Sequence, residues 1–396
     1  MSKIVIVAAT RTPMGSFQGS LSGLTAPDLG AVAIQTAVKQ ANISVNEIDE
    51  VIMGCVLPAG VKQGPARQAM RKAGLPDHVG ATTINKVCGS GMKAAMQASD
   101  AIKADSIKIA VVGGMESMSN APYLLPKART GYRMGHGQVI DHMFMDGLED
   151  AYTGRAMGSF AQDMADQKNY TREQMDEFAI RSLTRAQKAI QEGYFEAEIV
   201  PVTVTTRQGD VVVDTDENPG NAKIDKIPTL RPAFAKDGTI TAANSSSISD
   251  GASALLITSE QEAKQRGLKV LAEIKAYTTN SQSPEEFTIA PVGAIEKLLK
   301  KVGWSAEEVD LWEINEAFAM VTMAAIDAFK LDTEKVNING GACALGHPLG
   351  SSGSRIIVTL IHALKRLGKR KGIAALCIGG GEATAIAMEI VDESVV

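Results

Sequence analysis

The sequence predicts an α/β protein built from two similar halves, the first of which carries an inserted segment. The duplication rests on three segments of different element types that recur in the same order at nearly the same offset. The corresponding positions are Asp49 and Asp310, Gly91 and Gly353, and Glu116 and Glu382, at offsets of 261, 262 and 266 residues. Three matches in order favour a true repeat over the general similarity of strand–helix units. We expect an N-terminal half over residues 1–268 and a C-terminal half over 269–396.

Within each copy, hydrophobic patterns predict buried helices and strands. The segment 92–103 carries apolar residues at helical spacing, from Met92 to Ile102, as a packed helix requires. Two short apolar runs, Ile107–Val112 and Ile373–Ile378, end at glycines. Such runs are typical of strands covered on both faces. The halves should therefore contain mostly parallel or mixed sheets with helices packed on them.

The inserted segment spans about 117–245 and has no counterpart in the second copy. It should contain its own helix, since Thr171–Gln174 matches a capping box and Gly193 supplies a C-terminal stop. A hairpin should follow, formed by Ile199–Thr205 and Val211–Val213.

Composition excludes several classes of protein. With 21% charged and 45% hydrophobic residues, the 396-residue chain is not disordered. Its net charge of −5 argues against a nucleic-acid or membrane-surface partner. Four cysteines without a Cys-x-x-Cys pair argue against a disulfide framework or a zinc ribbon, and we expect no metal site. With no signal peptide and no long apolar run, we expect a cytoplasmic location.

Cys88 is the first candidate for chemistry, because it directly precedes the predicted helix 92–103. Unpaired N–H groups and the helix dipole at a helix N-terminus favour the nucleophilic thiolate. Gly89 and Gly91 let a substrate approach the backbone and leave N–H groups free for an oxyanion. A small buried structural cysteine is the alternative.

His347 lies in a second glycine-rich loop, between Gly346 and Pro348 and before another helix. The repeat aligns Cys88 with Gly350, three residues beyond this histidine. Two related loops, one with a cysteine and one with a histidine, can therefore face each other across a pseudo-twofold axis.

Two further residues follow predicted strands. Cys377 ends a buried strand before Gly379, and the C-terminal ends of such strands carry the sites of α/β folds. It could act as an acid or base toward a carbon centre, or be a buried strand cysteine. Asn315 could hold a water or an oxyanion, or cap a helix.

Together these motifs resemble the thiolase family, in its acetyl-CoA acetyltransferase branch, over essentially the whole length. The resemblance implies a five-layered αβαβα pair of halves with an inserted loop domain. The motifs that carry it are Val87-Cys88-Gly89-Ser90-Gly91, Asn315-Glu316-Ala317-Phe318, Gly346-His347-Pro348, Cys377-Ile378-Gly379-Gly380-Gly381, Arg11-Thr12-Pro13 and Ser249-Asp250-Gly251-Ala252.

The resemblance also implies roles. Cys88 would carry the acyl group as a thioester, and His347 would accept a proton from Cys88 or coenzyme A and help bind the first oxyanion. Asn315 would hold a water in that same hole, and Cys377 would move the proton on the α-carbon of acetyl-CoA. The N–H groups of Cys88 and Gly379 would form a second oxyanion hole. The reaction would be ping-pong condensation of two acetyl-CoA, or its reverse.

The partners so implied are acyl-CoA and coenzyme A, the latter as substrate and product, with no cofactor, and a homodimer or homotetramer. Two departures stand out: Ala156 occupies a position where short-chain members usually carry His, and 216–222 lacks the family's frequent Arg. Lys223, Lys226 or Arg207 could replace that Arg as phosphate contacts. The residues implied to line the pantetheine and acyl site are Leu148, Met157, Phe234, Ala242, Ser246, Ala317 and Phe318.

Other functions stay open as alternatives. A broader 3-ketoacyl-CoA thiolase of fatty-acid β-oxidation differs in chain length alone, and a non-catalytic acyl-CoA-binding relative would keep the fold. A decarboxylating ketosynthase would use two histidines with its cysteine, where this chain has Asn315 and Cys377. A papain-like hydrolase has the order Cys, His, Asn, which this chain does not follow.

Overall fold

The first half and its insertion alternate strands and helices, as the apolar runs predict. A computed structural model describes residues 3–391. In chain order the first half contains β1 (Ile4–Arg11), β2 (Gly15–Ser16), α1 (Ala26–Ala41), β3 (Glu50–Gly54), α2 (Pro65–Lys72), β4 (Gly80–Ile84), α3 (Ser90–Lys103), β5 (Ile109–Ser117), β6 (Tyr123–Leu124), β7 (Ile140–Asp141), α4 (Met157–Gln167), α5 (Arg172–Gln191), β8 (Val202–Thr206), β9 (Gly209–Val213), α6 (Glu217–Asn221), β10 (Ser249–Ser259) and α7 (Glu260–Arg266).

The second half repeats the core of this order without the insertion. It contains β11 (Ala272–Ser281), α8 (Ala290–Val302), β12 (Leu311–Ile314), α9 (Ala319–Phe329), α10 (Ala342–Leu345), α11 (Leu349–Leu367), β13 (Lys371–Ile378) and β14 (Glu382–Ile390). The helices α3 and α11 are the repeat-related pair that follow the Cys88 and His347 loops.

The strands of both halves form one mixed sheet system. Across residues 3–391 its order is β12-β13-β14-β11-β1-β10-β5-β3-β4, with β2 beside β10. Parallel pairing joins β3 to β4 and β5, and β12 to β13. The halves meet where β1 pairs antiparallel with β11. The prediction of mixed sheets is confirmed.

Packing divides the molecule into five layers, as the resemblance implies. Helices α1 and α2 bury residues such as Ile34 against the outer face of the first-half strands. Helices α3 and α11 lie in the middle, where Met92 and Ile356 share a core with both sets of strands. Helices α8 and α9 cover the second-half strands, around Leu298 and Trp312. The C-terminal ends of β5 and β13 are thereby brought toward the central helices.

The insertion follows the local signals in its sequence. Thr171 caps α5 and forms the capping box with Gln174, and Gly193 has a left-handed φ of +70° just beyond the helix. The predicted hairpin is the β8–β9 pair. Helix α3 begins two residues earlier than the apolar pattern indicated, because Gly89 already has helical backbone angles. Among residues 3–391, no helix is both long and apolar enough to cross a bilayer.

Candidate active site

A cavity of about 230 Å³ lies where the Cys88, His347 and Cys377 loops converge. Its wall is mainly apolar, which suits an acyl chain, and its polar groups are few. Ten of the predicted site residues line it: Cys88, Leu148, Met157, Phe234, Ser246, Ala317, Phe318, His347, Cys377 and Gly379. Asn315 and Ala242 do not.

The Cys88 loop is held in a strained turn. Val87 has a φ of +47°, which is rare for a β-branched residue. The hydroxyl of Ser90 accepts from the N–H of Lys86 at 2.8 Å and donates to the carbonyl of Val87 at 2.6 Å. These bonds fix the turn that places Cys88 at the start of α3.

Burial decides the protonation state of Cys88. The side chain is 9% exposed, and burial raises the pKa of its thiol to about 11. The N–H groups of Gly379 and of Cys88 itself lower this pKa, while the charge of Glu116 raises it. The expectation that the helix N-terminus would favour the thiolate is therefore wrong for the ground state. Cys88 rests as a thiol and needs a base.

His347 has the geometry that such a base requires. Its Nδ1 lies 2.5 Å from the Ser352 hydroxyl, which donates its hydrogen to the carbonyl of Pro348 at 2.9 Å. Ser352 can then only accept from Nδ1–H, so the lone pair of the imidazole is on Nε2. Nε2 is buried and has no hydrogen-bond partner within residues 3–391.

The electrostatic environment keeps this imidazole neutral. Burial, with a smaller contribution from the nearby Arg355 guanidinium, lowers the pKa of His347 to about 3. The loop that carries His347 needs a glycine at position 346. Gly346 has a φ of +107°, and a side chain there would overlap the Ser249 hydroxyl.

Cys377 lies near the end of β13, only 1% exposed. Burial, with a contribution from Cys88, raises the pKa of its thiol well above the ordinary value. The two sulfurs are thus electrostatic neighbours in one cavity.

Asn315 is buried and does not line the cavity. Its backbone N–H donates to Ala375 at 3.0 Å, and its side-chain amide is buried with no partner in the described chain. The alternative that it caps a helix is wrong, since Phe318 precedes α9 as its cap.

The acyl end of the cavity is aromatic. Phe318 makes edge-to-face contacts with Phe234 at 6.1 Å and with Phe287 at 6.4 Å between ring centroids. A side chain at Gly158 would overlap the Phe234 ring, so a glycine is needed there. Phe287, in a short helical turn without a motif, was not predicted from the sequence.

Comparison with known proteins agrees with this arrangement. The model of the thiolase N-terminal domain matches residues 4–261, and that of the thiolase C-terminal domain matches residues 268–390. The chain belongs to the thiolase family.

Similar proteins cover nearly all of this thiolase. The acetyl-CoA acetyltransferase of Escherichia coli K12 is 49% identical, and that of Pseudomonas aeruginosa is 48% identical; each alignment covers 98% of this chain and 99% of the relative. The crystal structure of the Bacillus anthracis acetyl-CoA acetyltransferase superimposes with a TM-score of 0.96 at 44% identity, with 99% of both chains covered. A thiolase of Ascaris suum in complex with coenzyme A gives a TM-score of 0.94 at 42% identity, covering 98% of this chain and 100% of that one.

In this thiolase, Ala242 lines a neighbouring groove of about 340 Å³. Lys223 and Lys226 lie along the same groove, together with Ser247. Ser247 follows Ser246 of the first cavity, so the two spaces adjoin at this point of the chain. Arg207 lies in the β8–β9 turn and does not line the groove.

The contact between Ser352 and His347 was not predicted from the sequence. The repeat could have indicated it, because it aligns Ser352 with Ser90, and each hydroxyl forms hydrogen bonds within the Cys88 or His347 loop of its own half. A metal is not indicated by side-chain clusters, since within residues 3–391 no three His, Cys, Asp or Glu side chains gather as ligands. His142, for example, is bound to Asp146 at 2.6 Å.

Proposed function

We propose that this thiolase is an acetyl-CoA C-acetyltransferase, which condenses two acetyl-CoA to acetoacetyl-CoA and coenzyme A and catalyses the reverse thiolysis. The observation that carries the proposal is a neutral imidazole, with its free Nε2, in one cavity with two buried thiols. Sequence identity of 48–49% to two acetyl-CoA acetyltransferases supports it.

The first half-reaction acylates Cys88. Its sulfur attacks the thioester carbonyl as His347 Nε2 takes the thiol proton, and the N–H groups of Cys88 and Gly379 hold the oxyanion. The bond to coenzyme A then breaks, and the leaving sulfur takes a proton from Cys377. The buried thiol of Cys377 is protonated at rest, as this step requires.

The second half-reaction forms the carbon–carbon bond. The Cys377 thiolate removes an α-proton from the second acetyl-CoA, and the resulting carbanion attacks the acyl-Cys88 carbonyl. His347 and a water on the Asn315 amide hold the enolate oxygen. Cys88 departs and takes back its proton from His347, so the enzyme returns to its starting state without any cofactor.

The nucleotide end of coenzyme A should lie along the neighbouring groove. Lys223 and Lys226 are exposed there and would contact its phosphates in place of the Arg missing from 216–222. Arg207 is disfavoured by its position outside the groove.

Self-association and the cellular setting are part of the same proposal. The segment 123–139 exposes large apolar side chains, including Tyr123 at 66% and Met134 at 97%, which suits a homodimer or homotetramer contact. The four cysteines, all within the described residues, are free, and a catalytic thiol pair fits a reducing compartment such as the cytoplasm. A place in fatty-acid metabolism follows from acyl-CoA chemistry.

Two substitutions test the mechanism. Cys88→Ala should abolish thiolysis of acetoacetyl-CoA, and retained turnover would refute its role as nucleophile. Cys377→Ala should still allow partial acylation of Cys88 but block exchange of the acetyl-CoA α-protons with solvent. Normal exchange in that variant would contradict the assignment. A wild-type enzyme that binds acyl-CoA without turnover would instead identify the non-catalytic relative.

A broader 3-ketoacyl-CoA thiolase is the second candidate, because small Ala156 lines the cavity where short-chain members usually carry His. Thiolysis rates for C4 to C16 3-ketoacyl-CoA substrates separate the two. A rate that falls steeply after C4 supports the acetyltransferase, whereas a flat or rising series supports the broader enzyme.

A further inference from the structure

The repeat relates two glutamates that the mechanism does not use. Glu116 is at the end of β5 and Glu382 begins β14. Glu116 follows Gly113 and Gly114 within β5, and Glu382 follows the three glycines that come after β13. Their contacts cross from one half to the other.

Glu116 is fully buried and binds a loop of the second half. Its Oε2 accepts from the N–H of Gly350 at 2.8 Å and from Val56 at 2.9 Å, and its Oε1 accepts from Leu57 at 3.0 Å. Gly350 is in the first turn of α11, three residues after His347, and the repeat aligns it with Cys88. A carboxylate at this helix N-terminus is also favoured by the helix dipole.

Glycines create the space for this contact. A side chain at Gly114 or at Gly54 would overlap the carbonyl of Gly350. The backbone of the His347 loop therefore rests directly on β5 and on the end of β3, within reach of the Glu116 carboxylate.

Glu382 makes the reciprocal contact with the first half. Its Oε2 accepts from Lys86 Nζ at 2.7 Å, and its Oε1 accepts from the Ser281 hydroxyl at 3.1 Å. Lys86 is two residues before Cys88 and its own N–H is bound by Ser90. Because Glu382 follows the Gly379 loop, this ion pair joins the two backbone segments that carry the N–H groups facing the Cys88 sulfur.

We propose that Glu116 and Glu382 are positioning residues that fasten, each across the pseudo-twofold axis, the catalytic loop of the opposite half: Glu116 holds the His347 loop and Glu382 holds the Cys88 loop. Neither side chain lines the cavity. Their effect is therefore on the rate of chemistry rather than on substrate binding. The test by thiolase activity rests on the proposed function, whereas the test by hydrogen–deuterium exchange does not.

The accessible Lys86–Glu382 pair gives the sharper test. Glu382→Gln and Lys86→Met should each lower kcat for acetoacetyl-CoA thiolysis by about tenfold, with KM within twofold of wild type. Here kcat is calculated per active site, counted by titration of the Cys88 thiol. The double variant should be no worse than either single one. Glu389→Gln is the matched control: it lies on the same strand with similar exposure, 26% against 33%, and pairs with Lys275 away from the loops.

Hydrogen–deuterium exchange supplies the readout that needs no turnover. In Glu382→Gln the amides of residues 85–91 should exchange at least fivefold faster, with β14 unchanged. In Glu116→Gln, assayed at pH 8, the faster exchange should fall on residues 349–351, with kcat per site at least 100-fold lower. Cys55→Ala is the control here, because it removes only the thiol contact with Glu116. If Glu116→Gln does not fold, Glu116→Asp replaces it.

The outcomes separate the two proposals. A wild-type enzyme without thiolase activity refutes the proposed function, while the exchange data still decide whether Glu116 and Glu382 fasten the opposite loops. Four results would each overturn the positioning role of Glu116 and Glu382. Two are unchanged exchange in the opposite loop and a kcat per site within twofold of wild type. The others are additive losses in the double variant and an equal loss in Glu389→Gln. A lower melting temperature with unchanged kcat per site would assign these residues a structural role only, and would also overturn the positioning role.

Discussion

Replacing Ser352 by Ala should impair the proposed base without changing the cavity wall. Ser352 is fully buried on α11, and its hydroxyl is the acceptor that fixes the Nδ1–H tautomer of His347. Alanine removes that acceptor and leaves Nδ1–H without a partner. The carbonyl of Pro348 is not orphaned, because the N–H groups of Ser351 and Ser352 also donate to it.

The expected loss follows from the cost of a buried donor. An unsatisfied buried polar group costs about 1–3 kcal/mol. For Nε2 to accept a proton, the imidazole must carry its hydrogen on Nδ1, where the variant offers it no acceptor. That cost therefore adds to the free-energy barrier of acylation. At about 1.4 kcal/mol per tenfold in rate, kcat for acylation should fall by roughly 5- to 140-fold.

Stopped-flow release of coenzyme A measures the acylation step directly. Ser354→Ala is the matched control, since Ser354 is equally buried on the same helix and bonds Ser253 and the Ser351 carbonyl rather than His347. The control should retain acylation within about twofold. Acylation by Ser352→Ala within twofold of wild type, or an equal loss in Ser354→Ala, would refute the role assigned to Ser352.

Three further predictions follow from the same geometry. The Lys223→Met and Lys226→Met variants should each raise KM for coenzyme A by roughly fivefold, about 1 kcal/mol, and leave thiolysis by pantetheine unchanged; a matching loss with pantetheine would contradict a phosphate contact. Gly346→Ala should lower thiolysis by at least tenfold, because the left-handed φ and the Ser249 hydroxyl exclude the methyl group, and unimpaired kinetics would show that the loop can adjust. By NMR of labelled histidine, with His347→Asn to assign the signal, His347 should stay neutral from pH 8 down to pH 5, since its folded-state pKa of about 3 lies below the ordinary value; a midpoint above pH 5 would refute this.

The repeat made most of the fold predictable from the sequence. Offsets near 262 residues identified the paired helices α3 and α11 and the paired strands β5 and β13, all of which the structure confirms. Local signals sufficed in the insertion, where Thr171 caps α5 and a hairpin follows. The joining of both halves through β1 and β11 was not predictable, because nothing in either strand records its partner.

The site was predictable as a set of loops but not in its electrostatics. The pKa of Cys88 is shifted opposite to the direction expected at a helix start, because burial outweighs the N–H groups and depends on packing from both halves. Ala242, predicted to lie near the pantetheine or acyl group, lines the adjoining groove rather than the cavity. Phe287 and Ser352 were missed because their roles arise from contacts across space rather than from a motif.

The two protonation states together constrain how Cys88 can be activated. Its thiol has a pKa of about 11 and the His347 imidazole a pKa of about 3. Burial shifts both pKa values in the direction that disfavours the charged form, so the thiol and the neutral imidazole are the resting forms.

In the proposed mechanism, the proton therefore leaves Cys88 as its sulfur bonds to the thioester carbon. The negative charge then moves to the carbonyl oxygen, where the N–H groups of Cys88 and Gly379 can receive it. The same two N–H groups lower the pKa of the free thiol, so they are already oriented toward the reacting sulfur before substrate binds. The mainly apolar cavity thus disfavours charge in the free enzyme and leaves it to arise only once an acyl-CoA has bound and reacted.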